Sequence, residues 1–188
     1  MRVLEFRRQV LHVLFGASAI GVGLFFGALA LKACLFACVL AGAALITLQM
    51  LGVRVPLSHR MFELFERKTA EMPGKGALLF VVGTFFLACF SPSLEFTLAV
   101  IGILGFGDGF ATIVGVNGMH PLPFNKKKSW EGTLAFFAAG FASSAFFVGV
   151  PQALTYTILL GLVEAADSPA DDNLLIPLTA IILKGFGV

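Results

Sequence analysis

Residues Leu94 to Val116, LEFTLAVIGILGFGDGFATIVGV, decide what kind of protein this is. The stretch is apolar and long enough to cross a bilayer, whose hydrocarbon core takes about 20 such residues in a helix. Yet it carries an acid, Asp108, set among Gly105, Gly107 and Gly109. A carboxylate in the hydrocarbon region costs about 2.5–3.5 kcal/mol even on the mild insertion scale, so it marks a functional site by default. The surrounding glycines let the backbone loosen and admit close approach of a ligand. The helix is therefore expected to be broken or loosened near Asp108.

The rest of the chain agrees with a membrane setting. Of its 188 residues, 58% are hydrophobic and only 13% charged, and the mean hydropathy is +0.94. Soluble domains are about 45–50% apolar, so a water-soluble core cannot absorb this surface. Working outward from Leu94–Val116, spans are predicted over Gln9–Ala30 and Ala33–Gly52, with a shorter one over Gly76–Ser91. Downstream follow Thr133–Val150, stopped by Pro151, and two short spans, Gln152–Ala166 and Asn173–Gly187. Pro177 should kink the last of them. The expected fold is an all-α integral membrane protein of about seven transmembrane helices, forming a single polytopic domain over residues 1–188.

Several features refine that expectation. The apolar run Val10–Leu31 exceeds the roughly 7–15 residues of a signal peptide, so it is read as a retained helix. In Pro56–Glu71, Leu57, Met61, Leu64 and Phe65 recur at helical spacing among charged residues. That pattern predicts an amphipathic helix lying on the membrane surface, within a cytoplasmic segment 54–75. Cys34, Cys38 and Cys89 all fall in apolar spans and read as small hydrophobes. The Gly23–Gly27 spacing permits close helix packing, and a homodimer stays open.

Basic residues set the orientation. Numbering the loops alternately, one set holds Arg2, Arg7, Arg8, then Arg54, Arg60, Arg67, Lys68, Lys75, then Lys126, Lys127, Lys128. The other holds only Lys32, with Lys184 near the C-terminus. The N-terminus is thus expected on the cytoplasmic side and the C-terminus opposite. This topology brings Glu5, Arg8, His12, Asp108, the basic loop 117–130, Glu131, Glu164, Asp167, Asp171, Asp172 and Asn173 to one face.

Their chemistry points to a polyanion and a hard cation. Asp108 could hold Mg²⁺, which takes one or two protein carboxylates plus substrate phosphates. Glu164, Asp167, Asp171 and Asp172 are more acids than helix capping explains, and a divalent metal would gather several of them. Lys128 and Ser129 precede a helix whose free N–H groups and positive dipole end suit a phosphate. His12 lies one turn from Arg8 on one helix face and could bind phosphate or move a proton. No Walker or Rossmann glycine pattern is present, so any nucleotide is bound by helix ends and loops. Nothing indicates nucleic acid.

Four ordered motifs then carry a resemblance. EFRRQVLHVLFG, GDGFATIVG, KSWEG and VEAADSPADDNLLIPL together resemble the phytol kinase, dolichol kinase and CTP-dependent diacylglycerol kinase group. The resemblance implies a CTP-dependent kinase of a long-chain lipid alcohol (phytol, a polyprenol or dolichol, or diacylglycerol) working in the membrane with Mg²⁺. It implies catalytic roles for Asp108, His12 and Glu164. Arg8, Gly115, Lys128, Ser129, Gly132 and Asn173 would contact nucleotide or phosphate, and Asp108, Asp172, Glu164 and Glu131 would serve the metal. Glu5 also matches. Two alternatives stay open: a CTP:phosphatidate cytidylyltransferase making a CDP-lipid, and a small non-enzymatic transporter or scramblase.

Overall fold

A computed structural model describes residues 2–53, 55, 56, 60, 64, 65 and 72–187. The surface helix expected over Pro56–Glu71 lies mostly outside the described residues. Among those described, the regular structure is helical: α1 (Arg2–Met50), α2 (Lys75–Phe90), α3 (Leu94–Gly102), a π-helical segment (Ile103–Asp108), α4 (Gly109–Gly115), α5 (Trp130–Val148), α6 (Val150–Ala165) and α7 (Asp172–Gly185). α3, the π segment and α4 run on as one rod, Leu94–Gly115.

Three helical stretches are long and apolar enough to cross a membrane: Val3–Met50, Leu94–Gly115 and Trp130–Val148. α2 and α6 are apolar but hold only 16 residues each. At 1.5 Å per residue they reach about 24 Å, short of a hydrocarbon core of about 30 Å. The expectation of seven spans is thus met for the helical class and for three spanning helices. The outward faces are apolar, with Phe25, Leu29 and Phe146 more than four-fifths exposed, as contact with lipid rather than water requires.

Two boundaries differ from expectation. The first two spans do not part at Lys32. The break falls at Gly27, where φ is 81°, a left-handed value that glycine alone adopts without steric cost. A Cβ built on Gly23 would lie 3.4 Å from Leu31 Cδ2. Eight residues of unbroken helix would separate those positions by about 12 Å, so the turn at Gly27 is sharp. Pro151, read as a stop, instead sits in the first turn of α6, where its missing N–H costs nothing. The interruption there is Gly149, with φ 76°.

Leu94–Gly115 is the most enclosed of the three long stretches, and glycine is what lets its neighbours come near. A Cβ on Gly105 would stand 3.2 Å from Gly16 Cα of α1, and one on Gly107 3.4 Å from the Phe136 ring of α5. A Cβ on Gly132 would meet Ala111 O at 2.8 Å and Gly115 Cα at 3.1 Å. The glycines expected to admit a ligand near Asp108 therefore admit helices. The buried core around this rod includes Leu31, Phe80, Leu98, Ile101, Leu104, Phe136, Tyr156, Leu160 and Ile176. α7 closes against α2, where Gly83 touches the Asn173 carbonyl.

Candidate functional site

The loosening predicted near Asp108 takes the form of the π segment Ile103–Asp108. Such segments recur at functional sites because they re-aim side chains and carbonyls within an otherwise regular helix. Two side chains of α1 face it. His12 Nε2 is 3.2 Å from the Leu104 carbonyl oxygen and 3.6 Å from Asp108 Oδ2. A carbonyl only accepts, so Nε2 carries the hydrogen and donates. The His12 ring also meets Phe80 edge-on, with centroids 4.3 Å apart, and this contact fixes its plane. One turn earlier, Arg8 Nη1 donates to Glu5 Oε2 at 3.0 Å. Arg8 Nη2 and Asn173 Nδ2 both flank Gly76, at 3.5 and 3.9 Å from a Cβ built there.

The centre is built from three further segments. Asp108, Glu164 at the end of α6 and Asp172 at the start of α7 each offer a carboxylate oxygen, and these atoms all lie within 4.8 Å of one another. Asp108 and Glu164 are buried, 8% and 2% exposed. Lys128 enters from the loop and donates to Glu164 Oε1 at 2.6 Å and to Asp172 Oδ2 at 2.9 Å. Burial alone would lower the Lys128 pKa. The carboxylates of Glu164, Asp108 and Asp172 outweigh it and hold the ammonium above its usual range. The second oxygen of Glu164 is buried with no hydrogen-bond partner among the described residues. A free oxygen beside two more acids suits a hard divalent cation, which coordinates carboxylate oxygens directly.

Lys128 is held there by a loop that folds as a small hairpin. Trp130 N donates to His120 O at 2.9 Å, Leu122 N to Lys128 O at 3.0 Å and Lys128 N to Asn125 O at 3.1 Å. Asn125, 4% exposed, donates through Nδ2 to the carbonyls of Ala165 and Ala166 and accepts from Lys127 N. It thereby fastens the lysine loop to the residues that follow Glu164. Sequence reasoning passed over Asn125, because a lone amide in a Pro- and Lys-rich loop carries no periodic or motif signal of its own. Lys127 also crosses to this end, pairing with Asp167 at 3.1 Å on the surface.

The remaining expected residues are placed as follows. Ser129 caps α5, accepting from Gly132 N at 3.2 Å, and its hydroxyl approaches the Gly115 carbonyl at 3.4 Å. Gly115 and Gly132 meet each other and also line a cavity of about 160 Å³ with Thr112, Lys128, Ser129 and Glu164. Asp171 caps α7, accepting from Asn173 N at 3.1 Å. Asn173 Nδ2 is 3.4 Å from the Gly76 carbonyl, and its own amide oxygen is buried without a partner among the described residues. Glu131 is not brought to the three acids. It accepts from Met119 N at 3.1 Å and pairs with His120 Nδ1 at 2.7 Å, bracing the loop. His120, which the sequence left without context, gains its role from that contact.

Buried acids, a lysine among them and a helix N-terminus beside them, in a bundle with three helices long and apolar enough to cross a bilayer, make a site that suits a cation and a polyanion. Comparison with known proteins then gives the lineage. The chain is 36% identical over 101 residues to a probable chloroplastic phytol kinase of Triticum aestivum, covering 44% of this chain and 34% of that protein. It is 29% identical over 175 residues to the chloroplastic farnesol kinase of Arabidopsis thaliana, covering 83% and 57%. It is also 29% identical over 182 residues to an uncharacterized protein of Methanocaldococcus jannaschii, covering 92% and 88%. The chain spans about a third to somewhat over half the length of the named kinases. No family model and no solved structure matches it. Over the aligned segments the chain is thus similar to named phytol and farnesol kinases.

Proposed function

We propose that this protein phosphorylates a long-chain lipid alcohol, taking the γ-phosphate from CTP with Mg²⁺ as cofactor. The observation that carries the reading is the meeting of Asp108, Glu164 and Asp172 around Lys128. Three carboxylates and one ammonium leave an excess of negative charge that a divalent cation would balance, and the kinase names of the relatives supply the acceptor class. Asp108, Glu164 and Asp172 would hold the metal, which would supply positive charge against the terminal phosphates. Glu131, committed to His120, stands apart from this set.

The chain's own groups then divide the work. Lys128, paired with Glu164 and Asp172, is a cation at the acids that would meet phosphate oxygens. Ser129, Gly132 and the start of α5 offer a hydroxyl and backbone N–H groups to the same anion. Arg8 and Asn173 close the far side. The alcohol oxygen attacks the γ-phosphorus, the bond to the β,γ-bridging oxygen breaks, and CDP leaves. The alcohol proton passes to a carboxylate. Asp108 is the better acceptor, because His12 Nε2 already holds a hydrogen directed at Leu104 O. His12 positions Asp108 instead. Phosphoryl transfer asks for positioning and charge neutralisation above all, and this cluster is suited to both. The alternating placement of basic residues supports a cytoplasmic position for this end of the bundle, with the N-terminus.

The test is purified protein with Mg²⁺ and CTP labelled on its γ-phosphate, offered phytol, a polyprenol, diacylglycerol and phosphatidate separately. Label appearing as a lipid phosphate on an alcohol is the expected result and identifies the acceptor. Release of label as pyrophosphate with phosphatidate alone would replace the kinase by a cytidylyltransferase. Turnover with none of the four would overturn the reading.

A further inference from the structure

Outside the acid cluster lies a larger cavity, about 400 Å³, between the first turns of α1 and the end of α4. Val3, Phe6, Ile113 and Val116 give it an apolar wall, and Glu5, Thr112 and Asn117 supply its polar groups. Two of its residues, Thr112 and Val116, also line the smaller polar cavity that holds Lys128 and Glu164. They stand four residues apart at the end of α4, where Val116, the capping residue, donates its N–H to the Thr112 carbonyl, so a single turn forms the wall common to both spaces. An apolar cavity and an ion-binding cavity that share one wall match a molecule with a long apolar body and a single reactive polar end.

The charges narrow the occupant. Among the described residues the only ionisable side chain lining the larger cavity is an acid, Glu5, and that acid is tied to Arg8 at 3.0 Å. No lysine or arginine among the described residues lines it. A phosphate headgroup would meet a carboxylate there and, among the described lining residues, no cation of its own, since Arg8 is committed to Glu5. A neutral hydroxyl can use the Thr112 hydroxyl and the Asn117 amide. The apolar residues are open to the side, Val3 65% and Phe6 54% exposed, so a chain longer than the cavity continues into the bilayer. The volume falls in the range of small-molecule sites.

We infer that this cavity holds the lipid alcohol, its chain lying along Val3, Phe6, Ile113 and Val116 and its hydroxyl directed past Thr112 toward the acid cluster. The inference rests on the kinase reading for its reaction and on the cavity alone for its ligand. Ile113 and Phe6 are then specificity-determining residues.

Ile113→Trp fills the cavity without touching the buried core, and Phe6→Ala enlarges it. Phe146→Trp, on a lipid-facing position 89% exposed, controls for added bulk. With phytol as acceptor, Ile113→Trp should raise KM about tenfold or more while KM for CTP and turnover of the five-carbon alcohol prenol stay unchanged. Phe6→Ala should shift preference toward bulkier chains, and Phe146→Trp should do nothing. A wild-type kinase whose Ile113→Trp and Phe6→Ala variants both keep the parent's KM and chain preference overturns the inference, with bulk lipid filling the cavity. If the wild type phosphorylates no alcohol, a farnesol carrying a tail diazirine still decides the matter. Photolabel on the Val3–Phe6 or Ile113–Val116 peptides upholds the site, and label elsewhere removes it.

Discussion

The two ends of the rod Leu94–Gly115 treat polar groups in opposite ways. At its start, Ser93 caps α3 by accepting from Phe96 N, Thr97 donates back to the Ser93 carbonyl, and Ser91 bonds within the same turn. Lys184 lies over the rings of Phe96 and Tyr156 at 5.8 and 5.9 Å. The serine and threonine hydroxyls there are met within four residues of chain. At the other end, Asp108, Glu164, Asp172, Lys128 and His12 come from five separate segments and meet one another. Local satisfaction stabilises an end of a helix. Charges gathered over long sequence distances, at a cost in desolvation, are the mark of a site.

That contrast can be broken most decisively at Asp108. Asp108→Asn keeps size and shape, so the protein should remain folded in detergent while turnover drops by about 10²–10³-fold or more. Activity near that of the parent would remove Asp108 from the centre of the mechanism. Next in size is Lys128→Met, which strands Glu164 and Asp172 without their cation. Loss of one partner of a buried pair costs roughly 3–5 kcal/mol, so the melting temperature should fall clearly in EDTA and recover in part with millimolar Mg²⁺. A variant that melts identically with and without Mg²⁺ would argue against a cation at the three acids.

A smaller effect is expected from packing. Gly105→Ala puts a methyl 3.2 Å from Gly16 Cα, and overpacking of this kind costs about 1–3 kcal/mol. Thermal denaturation should register it, and activity should fall because the π segment moves. Smallest of all is the opposite end. Lys184→Leu removes cation–π contacts worth about 0.5–1 kcal/mol and should leave turnover unchanged. A large loss of activity there would erase the distinction between the two ends.

Much of this was legible in the sequence, and the parts that were not have physical reasons. Asp108, Lys128, Glu164 and Asp172 could be picked out because charge in an apolar chain is costly wherever it falls. The convergence of their segments followed from alternating basic loops. The break at Gly27 was not legible, since Lys32 is the louder signal and a lone glycine among many gives no sign of which one turns left-handed. Glu131 looked like a ligand because it follows the lysine loop. Only the hairpin fold of residues 120–130 revealed His120 as its partner. Asn125 was invisible for the same reason: its value lies in carbonyls forty residues away. The helix glycines were assigned to a ligand because sequence shows freedom of approach and not what approaches.

The order in which the acids occur along the chain has a consequence for how the protein is made. A chain inserted from its N-terminus presents Asp108 when, of the charged or titratable groups gathered at this end, only Glu5, Arg8 and His12 precede it. Lys128 arrives next, and Glu164 and Asp172 arrive after that. A product stalled before residue 164 therefore carries an acid and a lysine but no chelating cluster. The three-carboxylate cluster is complete only once the start of α7 is in place, so any cation that binds there would also report completed assembly.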